Sequence, residues 1–102
     1  MTDSTDPATV RATISVAGRV QGVGYRAFAL RVAAARGLRG TVRNLDDGRV
    51  ELDVEGPKER IESLLNDLRT GPPAARVTDV RIEWGRATGR FSDFRISYEG
   101  GA

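Results

Sequence analysis

Hydrophobic and polar positions alternate from the start of the first structured stretch. Val10, Ala12, Ile14 and Val16 fall on one side and Arg11, Thr13 and Ser15 on the other, the pattern of a half-buried strand. The period then lengthens. Over residues 25–36, Tyr25, Phe28, Ala29, Val32 and Ala35 share a helical face, and Gly37 supplies a C-terminal stop. A second strand is expected over residues 38–45. Asp46-Asp47-Gly48-Arg49 follows, and Asp-Gly is a strong hairpin signal. The third strand alternates cleanly, with Val50, Leu52 and Val54 inward and Glu51, Asp53 and Glu55 outward. Gly56-Pro57 opens a second helix, with Pro57 in its first turn and Glu59 close behind. Ile61, Leu64, Leu65 and Leu68 form its apolar stripe, and Gly71-Pro72-Pro73 ends it. A fourth strand carries Val77, Val80, Ile82 and Trp84, and a short last one carries Phe94, Ile96 and Tyr98.

The order is βαββαβ with an extra terminal strand. It predicts an α+β sandwich of the ferredoxin-like type, two helices on one face of a mostly antiparallel sheet of four or five strands. The acidic residues of the third strand leave the opposite face wet. One domain is expected over residues 10–99, preceded by a flexible polar tail over residues 1–9. That tail lacks the basic start and apolar stretch of a secretory signal. No apolar run approaches the ~20 residues needed to span a bilayer. The expectation is a cytoplasmic protein with no membrane association, a compact monomer being the simplest reading.

Composition narrows the chemistry. The chain has no Cys and no His, which excludes disulfides, thiolate catalysis, the usual zinc sites and histidine acid–base catalysis. Any catalysis must use Arg, Lys, carboxylates, hydroxyls, amides and the backbone. The formal charge is only +2, with Lys58 the one Lys among 16 basic residues. Such a balance does not indicate a nucleic-acid binder. Arg does, however, hold phosphate as a planar, permanently charged fork.

The first strand–helix junction concentrates that possibility. Gly18-Arg19-Val20-Gln21-Gly22-Val23-Gly24-Tyr25-Arg26 places three glycines within seven residues. Glycine permits the positive φ that turns successive N–H groups into an anion-binding nest. The free N–H groups and positive dipole end of the helix add to the same point. Arg26, in the first helical turn, can fold over a bound anion. A plain glycine turn pinned to the core by Val20 and Val23, with a solvated Arg, is the bland alternative. Gly22 to Ala27 also fits the G-x-G-x-x-A dinucleotide fingerprint. The hairpin at Asp47-Gly48 defeats it, since no βαβαβ unit can follow. A nucleotide P-loop is excluded because no Gly-Lys-Ser/Thr follows the glycines. Asn44, at the end of the second strand, can orient a water with its amide or simply cap the turn.

Together these segments resemble the acylphosphatase family. The loop over residues 18–26 is similar to its first signature, and Gly40-Thr41-Val42-Arg43-Asn44 with Asp47-Gly48 and Val50-Glu51 to its second. Val54-Glu55-Gly56-Pro57 and Phe94-Arg95-Ile96-Ser97-Tyr98 resemble later features. The resemblance implies hydrolysis of small acyl phosphates to a carboxylate and inorganic phosphate, with no metal and no cofactor. It implies that Arg26 and the backbone amides of Gln21, Gly22, Val23, Gly24, Tyr25 and Arg26 bind the phosphate. It implies that Asn44 positions the attacking water. Some members carry a hydroxyl residue where this chain has Leu45, so one possible site hydroxyl is missing.

Two other classes share parts of this pattern. RNA-recognition modules share the βαββαβ order but need exposed aromatics on the central strands, where this chain has Glu51, Asp53 and Glu55. A non-catalytic phosphate- or anion-sensing module would keep the loop and Arg26 but need no Asn44. Nothing in the sequence defines a pocket for the acyl part of a substrate.

Overall fold

The computed structural model describes residues 9–98. The element order is β1 (Thr9–Arg19), α1 (Tyr25–Ala35), β2 (Arg39–Asn44), β3 (Val50–Pro57), α2 (Lys58–Thr70), β4 (Arg76–Arg86) and β5 (Phe94–Ile96). The strands form one sheet in the order β4-β1-β3-β2-β5. All neighbours are antiparallel except β2 and β5, which run parallel. Two helices pack on one face, the ferredoxin-like α+β arrangement. No helix among the described residues is long and apolar enough to cross a membrane.

The alternation of β1 and β3 sets the core. Ala12, Ile14, Val16, Val50, Leu52 and Val54 are fully buried, joined by Val42 from β2. They meet Ile61, Leu64, Leu65 and Leu68 of α2, the stripe expected from its spacing. The buried face of α1 is Tyr25, Ala29 and Ala33. Here the expected face is corrected at its end, because Ala35 is exposed and Ala33, two positions earlier, is buried instead. The small Ala29 and Ala33 let the helix lie close to the sheet, while Phe28, Leu30 and Val32 sit half-buried at its flanks.

Other expectations shift at the edges. Thr9 is already in β1, opposite Pro57, so the expected tail loses its last residue; the rest of it, and residue 99, lie outside the described residues. Pro57 closes β3 in extended geometry and caps α2 instead of entering its first turn. Trp84 stays 40% exposed because β4 is a sheet edge, where its ring meets the Lys58 ammonium. Tyr98 lies beyond the end of β5.

The outer sheet face is not uniformly wet. Glu55 is only 5% exposed. Its carboxylate accepts hydrogen bonds from the Thr88 hydroxyl at 2.6 Å and from the Thr88 and Gly89 amides at 3.0 and 2.9 Å. The connection from β4 to β5 is thereby latched across the sheet. Asp53 beside it accepts a bidentate pair from Arg11 and a further bond from Arg90. Burial pushes the Glu55 carboxyl up, but the Thr88 hydroxyl, the two amides and the charge of Arg11 outweigh it, and the group sits below the ordinary carboxyl value of 4.5. The sign follows from linkage. A depressed carboxylate stabilises the fold in full above its unfolded value, and the contribution disappears as pH falls through the native value. Chemical unfolding across an acid series is therefore expected to show a flatter loss of stability below pH 4.5 in Glu55→Gln than in the wild type. Equal slopes would remove Glu55 from the acid response.

Candidate active site

The loop between β1 and α1 is held at both ends and open in between. Val20 is 1% exposed and anchors its start, and Val23 packs partly against the core. The pinning role considered for these valines is real, and it coexists with an open backbone. Gly22 and Gly24 take left-handed φ values of 75° and 81°, conformations costing other residues about 1–2 kcal/mol. Gly24 is the N-cap of α1 and offers no capping side chain, and no acidic residue stands in the first turn. None of the amides from Gln21 to Arg26 donates to another backbone group among the described residues. The helix start thus presents free N–H groups and the positive dipole end with no described residue to neutralise them.

Tyr25 fixes this helix end in space. Its ring is 1% exposed, and its hydroxyl donates a 2.6 Å hydrogen bond to the Leu68 carbonyl near the end of α2. Burial pushes the phenol well above its ordinary value, so Tyr25 serves as a neutral strut and not as an acid. Arg26 is the next residue. Its guanidinium lies 5.1 Å from the centre of the Tyr98 ring and forms no ion pair with a described carboxylate.

Asn44 reaches the same place from β2. It is the last residue of that strand, paired with Val50 of β3, while Val50 is flanked on its other side by Val16 of β1. The ends of β1 and β2 therefore lie at one end of the sheet. A cavity of about 200 Å³ opens there, lined by Val20, Gly22, Gly24, Tyr25, Arg26 and Asn44, with Ala27, Ile96 and Tyr98 completing it. The Asn44 Oδ1 atom is buried with no hydrogen-bond partner among the described residues. A buried acceptor of this kind normally has a donor.

Two of the expected loop positions fall outside the lining, Gln21 and Val23, as does Leu45. The Gln21 side chain turns instead to the β2–β3 hairpin, where Nε2 donates to the carbonyls of Leu45 and Arg49. Tyr98 and Ile96 were missed as site residues. Their place comes from the parallel pairing of β5 on β2, Val42 against Ile96, extended by the Ser97 amide to the Val42 carbonyl. No local pattern announces a parallel pair so far apart in sequence.

A small α+β domain with an anion-sized cavity at a strand–helix junction is the class these features define. Comparison narrows it. The acylphosphatase family model matches residues 12–96. An acylphosphatase from Methylococcus capsulatus is 52% identical over 86 residues, covering 84% of this chain and 94% of the relative. One from Thermus thermophilus is 55% identical over 74 residues, covering 72% of this chain and 84% of the relative. The crystal structure of acylphosphatase from Bacillus subtilis aligns with a TM-score of 0.84 at 40% identity, over 87% of this chain and 99% of that one. The chain belongs to the acylphosphatase family.

Gly24→Ala tests whether the loop's backbone geometry shapes the site. A Cβ at Gly24 meets nothing within 4 Å, so only its φ of 81° is strained. A loss of about 1–2 kcal/mol in thermal or chemical unfolding is expected, together with weaker protection of the fold by inorganic phosphate. Unchanged phosphate protection would separate the helix start from anion binding.

Proposed function

We propose that the chain is an acylphosphatase, cleaving the carboxyl–phosphate bond of small acyl phosphates to give a carboxylate and inorganic phosphate. The observation that carries this reading is the unpartnered Asn44 Oδ1 in the same cavity as Arg26 and the uncapped start of α1. An anion sensor needs the last two and has no use for the first.

The roles follow from the chemistry. The phosphate is held by Arg26 and by the amides of the loop, with Gly22, Gly24, Tyr25 and Arg26 nearest the cavity. A water donates one O–H to Asn44 Oδ1, which turns a lone pair toward phosphorus. The P–O bond to the acyl oxygen breaks as the bond to water forms, and the carboxylate leaves with the bonding pair. A carboxylate is stable at neutral pH, its acid having a pKa of about 4, so no strong general acid is required. A loose phosphoryl transition state asks mainly for positioning and charge stabilisation. The water's proton passes to a phosphate oxygen of the substrate itself, which suits a cavity lined by no carboxylate among the described residues. The reading takes no metal or cofactor into the reaction. It takes a free small molecule as the partner, with no nucleic acid, and a cytoplasmic monomer as the working form. The modest charge of +2 and the ion-paired outer sheet face support a partner other than nucleic acid.

Steady-state hydrolysis of a simple acyl phosphate, with a chelator present, tests the assignment. Arg26→Ala is expected to lower kcat by at least ~10²–10³ and to weaken competitive inhibition by phosphate. Asn44→Ala is expected to lose turnover while keeping phosphate inhibition. A fully active Asn44→Ala would remove the water-orienting role. A kcat profile governed by an enzyme carboxylate near neutral pH would sink the substrate-assisted proton transfer.

A further inference from the structure

Gln21 contributes a side chain as well as a backbone to the site. Both N–H bonds of its amide are used, Nε2 donating to Leu45 O at 2.8 Å and to Arg49 O at 2.9 Å. These carbonyls already close the hairpin turn: Leu45 O accepts from the Gly48 amide at 3.1 Å, and Arg49 O accepts from the Leu45 amide at 2.8 Å. Each carbonyl has two acceptor sites, so Gln21 completes both. Leu45 directly follows Asn44, and Arg49 directly precedes Val50, the residue paired with Asn44 across the strands. The clamp therefore frames Asn44 from both sides of the hairpin. Gln21 itself is the neighbour of Gly22, which lines the cavity.

We infer that Gln21 is a positioning residue: it locks the turn carrying Asn44 to the phosphate loop, so that the water and the phosphorus are held at one fixed separation. The inference rests on the hydrolytic reading above. An ionised Glu at this position has the same shape and no proton to donate, and its charge faces two carbonyl oxygens. A Met has similar length and no polar atom for either carbonyl. Both substitutions release the turn without altering Arg26 or Asn44.

The test is hydrolysis of acetyl phosphate by wild type, Gln21→Glu and Gln21→Met, each with and without Asn44→Ala. Misplacing a reacting group by about 1 Å costs on the order of 10²-fold, so kcat is expected to fall ~10- to 100-fold in either Gln21 variant. KM and inhibition by inorganic phosphate should move by less than about threefold, since ground-state phosphate binding is retained. In the Asn44→Ala background the Gln21 effect should disappear, as it must for a group acting through Asn44. A loss that multiplies undiminished with Asn44→Ala, or wild-type kcat in both folded variants, overturns the inference. The wild-type protein gives a check that needs no variant: NMR should show the Gln21 side-chain amide protons protected from solvent exchange, and free exchange would count against the clamp. A wild type that does not hydrolyse acetyl phosphate sinks the hydrolytic reading itself. Activity in the wild type with flat Gln21 variants sinks the positioning role alone.

Discussion

The site depends on one register. Val50 is paired with Val16 of β1 on one side and with Asn44 of β2 on the other. These pairings set the end of β1 and the end of β2 about 10 Å apart, two strand spacings, at the same end of the sheet. Everything the proposed mechanism uses is then reached by short extensions, the glycine loop from one strand and the asparagine from the other. The register is held by burial. A slip of one residue would turn Val50, Leu52 and Val54 outward and drive Glu51 and Asp53 into the core. The same alternation that builds the hydrophobic core therefore fixes the geometry of the cavity, whose lining takes Val20 and Tyr25 from that core.

The two helices have different tasks, and their ends show it. The apolar stripe of α2 anchors it to the sheet, and Glu59 stands in its first turn, where a negative charge complements the dipole. At the start of α1 no such charge is present, and the N-cap is a glycine. That end is stabilised through Tyr25, whose hydroxyl reaches the far end of α2. Losing such a bond leaves a buried carbonyl unpaired, at a cost of about 1–3 kcal/mol. The helix end that the proposed phosphate site leaves electrostatically unsatisfied is thus secured by a contact on its opposite side.

Much of this was legible in the sequence. Period-two alternation marked β1 and β3, the Leu stripe marked α2, and three glycines with Arg26 marked the junction. These signals are local and strong. What escaped depends on contacts between distant segments. Ala33 and Ala35 are chemically identical, so only the tilt of α1 on the sheet decides which is buried. Glu55 looked like one more outward acid of β3, and its latch to Thr88 spans 33 residues. Tyr98 had the pattern of a strand residue, yet the parallel pairing of β5 ends before it and leaves it at the cavity. Gln21 was noted for its amide N–H, while its side chain acts 24 and 28 residues away.

The contact between Arg26 and Tyr98 has a kinetic meaning. A long cationic side chain in water carries about 2 kcal/mol of rotamer entropy, and its loss ordinarily opposes ligand binding. A carboxylate partner would quench that freedom, but an incoming phosphate would then have to break an ion pair. An exposed aromatic face attracts a guanidinium by only ~0.5–1 kcal/mol. It narrows the range of the side chain without satisfying any of its five hydrogen-bond donors. In the proposed mechanism Tyr98, 72% exposed, is a resting place from which the fork is released at low cost. Capture and discharge of a dianion can then both be fast, the combination a small hydrolase needs when phosphate is its product as well as the group it grips.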